Sequence, residues 1–160
     1  MSRTHEFAKD LCNELNRHKH NGLTWSSAGP KGINAGHESV DATGYGKKDT
    51  PLVLVEVELR RDAPALNVVK VWNWIKQRRF TKKLILIQAF SARYSKVNTL
   101  RKNSMFIGEQ MQVAGDARYI HMDFDYKPRK YGKTGAGRRC YHATRLGKRI
   151  VHKLKAHRAK

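Results

Sequence analysis

Acidic residues are scarce in this chain. Its 160 residues include 13 Asp and Glu against 33 Lys and Arg, a formal charge of +20. From Lys127 to Lys160 there are 13 Lys and Arg and no acidic residue at all. An excess of this size speaks to partners and not to fold, and a polyanion is the natural partner, with nucleic acid the commonest. Cysteine is scarce too. Cys12 and Cys140 stand far apart, which excludes a disulfide framework and a clustered zinc site and fits a reducing cytoplasm. The opening Met-Ser-Arg-Thr-His-Glu has no apolar signal region, and no apolar run approaches the roughly 18 residues of a membrane span. No long helix sets Phe and Leu opposite lysines, so an acidic membrane surface is the weaker partner. The expectation is a cytoplasmic chain with no membrane partner.

The length suits one compact domain. Phe7, Leu11 and Leu15 recur every four residues, so residues 3–19 read as a helix. Short strands are expected over 23–27 and 38–44, with a Gly-rich loop over 28–36 between them. A stronger strand follows over 51–60, then a helix from Asp62 and Pro64 to about Arg79. Leu-Ile-Leu-Ile-Gln-Ala, within 83–90, reads as a buried strand. A third helix spans about 96–114, a last strand 118–125, and a final helix starts near Ala143. The order is helix, three strands, helix, strand, then an added helix and strand, an α/β fold with a mixed central sheet flanked by helices. Residues 1–126 form the α/β body, and 127–160 form a basic C-terminal arm and helix.

The scarce acids are not scattered. Asp41 stands in Ser-Val-Asp41-Ala-Thr-Gly, and Leu-Val-Leu-Val-Glu56-Val-Glu58-Leu carries two more. Carboxylates in apolar strand sequence are costly unless something cationic compensates them. Strand side chains alternate, so Glu56 and Glu58 share one face, roughly 7 Å apart. Val53, Val55 and Val57 take the other, which reads as the core face. A two-residue turn at Lys48-Asp49 sets partners whose numbers sum to 97, placing Asp41 opposite Glu56. A slip of one residue would send Asp41 to the Val57 face. Three clustered carboxylates raise one another's pKa, and Mg²⁺ or Mn²⁺ reverses that cost. Mg²⁺ takes one or two carboxylates together with phosphate oxygens and water. It activates water and stabilises charge on a phosphate, the chemistry of phosphodiester hydrolysis. The bland alternative is a solvated strand face whose glutamates pair with lysines.

Asp41 followed by Glu56-Val-Glu58 after a hairpin, within this element order, resembles the PD-(D/E)XK nuclease superfamily over roughly residues 3–90. Two positions depart from its pattern. Val40 stands for the family's proline, and Glu58 stands for its lysine. The resemblance implies a metal-dependent DNA endonuclease, structure-specific or of restriction type, with a homodimer plausible. Asp41 and Glu56 would bind Mg²⁺ or Mn²⁺, and Glu58 would ligate metal or act as base. Lys70 on the following helix is a candidate for the missing lysine. Glu6 in the first helix is a candidate further metal ligand, with Glu14 as fallback. Rival readings are a non-catalytic nucleic-acid-binding module on the same fold and a basic RNA-associated protein.

Paired basic residues supply candidate phosphate contacts: Lys47 and Lys48, Arg60 and Arg61, Arg78 and Arg79, Arg138 and Arg139. Lys47 and Lys48, at the hairpin tip, would flank the scissile strand. Trp25, Trp72 and Trp74 are candidates for base stacking, with core packing the better reading of Trp72. From Ala143 onward an apolar stripe (Leu146, Ile150, Leu154) is set among basic residues, so that helix either docks on the body or enters a groove.

Overall fold

Two strands with continuous aliphatic runs, Leu-Val-Leu-Val and Leu-Ile-Leu-Ile, demand cover on both faces, as the strands of parallel sheets do. In the computed structural model they receive it. The structure describes residues 3–18, 22–30, 40–59, 63–80, 83–94, 99–126 and 136–158. The elements are α1 (Arg3–Arg17), β1 (Thr24–Ser26), β2 (Ala42–Tyr45), β3 (Pro51–Glu58), α2 (Ala65–Lys76), β4 (Leu84–Ser91), α3 (Thr99–Val113), β5 (Ala117–Phe124) and α4 (Ala136–Arg158). The five strands form one mixed sheet in sequence order. β1, β2 and β3 are antiparallel neighbours, while β3, β4 and β5 run parallel. The fold is α/β.

One face of the sheet packs against α1 and α4. Val53, Val55, Val57, Ile87, Ile120 and Met122 meet Phe7, Leu11, Leu15, Leu146, Ile150 and Leu154. Leu54, Leu84 and Leu86 pack against Val68, Val71, Trp74 and Met111 on the other. Each fully buried Leu or Ile contributes about 1.5–3 kcal/mol. The Glu56 face is therefore a second core and not a solvated surface. Trp25 lies buried over Gly44, and Trp74 is buried as well. Trp72 is only half-buried, with its indole N–H donating to Asp116 at 2.6 Å. Trp25 and Trp74, expected as candidates for base stacking, are thus core residues, and Trp72, expected in the core, is only half-buried.

Two glycines permit close approaches. A methyl group at Gly147 would stand 2.8 Å from Glu14 Cγ where α4 crosses α1, and one at Gly108 would stand 2.4 Å from the Tyr119 ring. Helix α4 begins at Ala136, seven residues before the expected start. Its first turn is tied to α1, because Arg139 donates to Asp10 at 2.6 Å and to Glu6 at 2.7 Å. Its apolar stripe docks in the shared core.

The β2–β3 hairpin turns over Lys47–Asp49, one residue more than the expected two-residue turn, with the Gly46 N–H donating to the Thr50 carbonyl at 2.8 Å and Lys48 and Asp49 in the left-handed region (φ 58° and 53°). Ala42 pairs with Val55, Thr43 with Leu54 and Gly44 with Val53, the expected register. A bulge intervenes nearer the turn, where Tyr45 pairs with Pro51.

Candidate active site

At Asp41 the chain leaves the β2–β3 ladder. Its N–H still donates to the Val55 carbonyl at 3.1 Å, and its carboxylate Oδ2 accepts the Val57 N–H at 2.7 Å. A side chain thus does the work of a backbone carbonyl. The anchor leaves Asp41 half-exposed, abreast of Glu56, where β3 approaches its carboxyl end. That end of the parallel strands is where open α/β sheets place ligands.

Glu56 is 1 % exposed. Burial pushes its carboxyl up to about 8, with Asp41 adding to the rise and Lys70 opposing it. Lys70 Nζ lies 2.6 Å from Glu56 Oε1 and also donates to Asn67 Oδ1 at 3.3 Å. The ammonium group sits 5.6 Å from the Trp74 ring, a favourable cation–π distance. It comes from α2 because Val68, Val71 and Trp74 fix the helix face that meets the sheet. Asn67 and Lys70 stand at the margin of that face.

Glu58 is fully buried beneath this pair. Its Oε1 accepts from Asn67 Nδ2 and from Gln88 Nε2, each at 2.8 Å. Gln88 Nε2 also donates to the Pro64 carbonyl at 3.0 Å. Gln88 Oε1 accepts from Ser104 Oγ at 2.8 Å and from Tyr119 OH at 2.7 Å. Burial first, then the charges of Glu58 and Glu109, pushes the Tyr119 hydroxyl well above the ordinary tyrosine range. It stays a neutral donor. A hydrogen-bonded chain therefore links β5 and α3 to Gln88, Glu58, Asn67, Lys70 and Glu56. Sequence reasoning missed Gln88, Ser104 and Tyr119. The available signal was Gln88 itself, an amide amid Leu-Ile-Leu-Ile and Ala-Phe, since a buried polar group needs partners.

The structure brings together Asp41, Glu56, Glu58 and Lys70. It does not add Glu6, which pairs with Arg139. Among the described residues, no group of three or more His, Cys, Asp or Glu is arranged to hold a metal ion. The donor set that fits a hard divalent cation is thus the two carboxylates Asp41 and Glu56. That matches the habit of Mg²⁺, and the raised Glu56 is a charge cost that such a cation would relieve. Glu58 is engaged by two amides.

The basic pairs divide. Lys47, Lys48, Arg78 and Arg79 are exposed. The hairpin tip, however, lies at the opposite end of β2 from Asp41, about 20 Å along the strand by its rise per residue. Lys47 and Lys48 therefore do not flank Asp41. Arg60 and Arg61 lie outside the described residues. Arg138 is exposed, whereas Arg139 is turned onto Glu6 and Asp10. No helix among the described residues is long and apolar enough to cross a membrane. Comparison with protein-family models, curated proteins and solved structures yields no match to this chain.

Proposed function

We propose that the protein is a divalent-metal-dependent endonuclease that hydrolyses phosphodiester bonds in DNA. The observation that carries this reading is Lys70 Nζ at 2.6 Å from Glu56. An ammonium group from α2 supplies, beside the strand carboxylates, the cation that the lysine-less Glu56-Val-Glu58 motif lacks. Asp41 and Glu56 would hold Mg²⁺ or Mn²⁺. The ion, when bound, lowers the pKa of water and offsets the charge that develops on the phosphate.

The remaining work falls to the chain. Asp41, fixed by the Val57 N–H, presents a carboxylate to solvent at the sheet's end. Glu56, its carboxyl raised toward neutrality, loses its proton when the site is loaded, which makes affinity rise with pH. Lys70 balances Glu56 and is placed to meet a phosphate oxygen or orient water. Asn67 holds that ammonium group, and Glu58 with Gln88 holds Asn67. The chain's +20 charge favours recognition of the nucleic-acid backbone.

The test is cleavage of plasmid, branched and single-stranded DNA with Mg²⁺, Mn²⁺ or EDTA. Metal-dependent cutting is expected, with Asp41→Ala, Glu56→Gln and Lys70→Met each lowering the rate by about 10²-fold or more while DNA affinity persists. A nucleic-acid-binding module is the second reading, favoured by the closed Glu56–Lys70 pair. It requires binding with no cleavage of any substrate, and that result would overturn the nuclease. Binding of RNA in preference to DNA, again without cleavage, would favour an RNA-associated protein.

A further inference from the structure

Helix α4 carries eight Lys and Arg and no acidic residue. Its apolar side is consumed by α1 and the sheet, and Arg139 is turned onto α1, while Arg138, Arg145, Lys148, Arg149, Lys153 and Lys155 are exposed on the side that remains. They fall in rows. Arg138, Arg145 and His152 recur every seven residues. Tyr141, Lys148 and Lys155 form a second row beside them, and His142 with Arg149 a third. Seven residues are two turns, so the rows run nearly parallel to the helix axis. From Arg138 to Lys153 the stripe is about 22 Å long at the α-helical rise.

Three contacts hold it in place. Arg149 donates to the Asp123 carbonyl at the end of β5. Arg145 lies 5.7 Å from the Tyr141 ring. His142 packs 5.1 Å from Tyr126. A hollow of about 220 Å³ between α4 and β5 is lined by Met122, Lys148, Arg149, His152 and Lys153, room for several waters at roughly 30 Å³ each. A smaller one adjoins Arg145 and Asp125. Of the acids at this edge, Asp123 is paired with Arg101 at 2.9 Å, and Asp125 is exposed. The positive field is felt locally. Burial first, then Arg138 and Arg145, holds the His142 imidazole below its ordinary range, although Asp125 opposes them.

We propose that this stripe along α4 is a separate binding surface for the phosphate backbone of duplex DNA. Charge complementarity selects a polyanion, and the geometry selects its form. A rigid, straight row of cations suits a stiff rod, as duplex DNA is over this length. Single strands are gripped by successive aromatic platforms, and here Tyr141 and His152, eleven residues apart on the stripe, do not form such a series. A membrane-surface helix needs a free apolar face, and that face of α4 is buried. The inference extends the DNA reading but does not need cleavage.

The experiment uses the full chain carrying Asp41→Ala, in EDTA, with a fluorescent duplex of about 30 base pairs titrated at several salt concentrations. Replacing Arg145, Lys148 and Lys153 together by Gln is expected to weaken binding about a hundred-fold near 0.15 M salt and to flatten the log–log salt slope by about 2.7. The same charge removed from scattered sites (Lys9, Lys83 and Lys102 to Gln) is expected to change the slope by less than about 1. These side chains are exposed, and circular dichroism verifies that each variant is folded. Equal effects of the two triple variants would overturn the proposal, as would an unchanged slope in the stripe variant. Tighter, stripe-dependent binding to single-stranded RNA or to anionic vesicles would also overturn it. Because nothing is cut in this assay, its outcome is independent of the nuclease test.

Discussion

Replacing Glu56 by Gln should stabilise the protein in alkaline solution and do little in acid. The carboxyl is buried and raised from 4.5 to about 8. Below the lower value both folded and unfolded chains carry the proton. Between the two values the unfolded chain ionises while the folded one holds its proton, so the native state binds more protons and stability falls as pH rises. Above about 8 the loss is complete. At 1.36 kcal/mol per unit it amounts to about 5 kcal/mol, a large share of the roughly 5–15 kcal/mol of a typical domain. Gln cannot ionise and escapes this loss, and its carbonyl still accepts from the Lys70 ammonium group. The variant should therefore be about 4–5 kcal/mol more stable at pH 9 and within about 1 kcal/mol of wild type at pH 5. Urea unfolding of both proteins at pH 5, 7 and 9 measures the gap, and titrations common to both cancel. It should widen by about 4 kcal/mol from pH 5 to 9. A gap that stays constant with pH would refute the reasoning. Mg²⁺ at a hundred times its dissociation constant should recover about 2.7 kcal/mol in the wild type at pH 9 and far less in the variant.

Gln88→Leu should cost about 3 kcal/mol or more, because Glu58, Ser104 and Tyr119 each lose a buried partner; unfolding within 1 kcal/mol of wild type would contradict the network. Gly108→Ala forces a methyl group to 2.4 Å from the Tyr119 ring and should destabilise by about 1–3 kcal/mol, read as a lower thermal midpoint. Cys140 is exposed, while Cys12 is buried and its thiol is pushed up to about 12 by burial, with Asp41 adding to it. A thiol reagent should therefore label one cysteine in the native protein and two in denaturant; rapid labelling of both in the native state would count against the packing of α1.

What the sequence disclosed follows from the range of the forces involved. The β2–β3 register follows the period of two, and Ala42 pairs with Val55 as expected, but the turn is three residues long and a bulge offsets the extra one. The bulge at Tyr45 adjoins a close approach of Leu52 to Gly46, where a methyl group would stand 2.5 Å away, and no pattern encodes that. The aliphatic run of β4 announces a buried strand, but Gln88 finds its hydroxyl partners 16 and 31 residues away. Lys70 was legible as a candidate, whereas its contact was not. Asn67, Lys70, Trp74 and Gln77 recur at helical spacing and read as one mostly polar face. The structure buries Trp74 and leaves Gln77 exposed, which turns Asn67 and Lys70 toward the sheet. The early start of α4 rests on Arg139 reaching residues about 130 positions away.

Glu58 is where local reading and tertiary packing diverge most. Its place in the motif suggests a metal ligand, yet two amides claim the same oxygen. That arrangement still bears on the site above it. An amide that donates through Nδ2 to Glu58 must turn Oδ1 the other way, and Asn67 Oδ1 is where Lys70 donates. Gln88 is oriented in turn by two hydroxyl donors, which leave its Nε2 to face Glu58. The buried acid thus fixes the direction of an amide, and the amide fixes the position of an ammonium group. In this way a carboxylate on β3 contributes to holding a lysine from another element against Glu56.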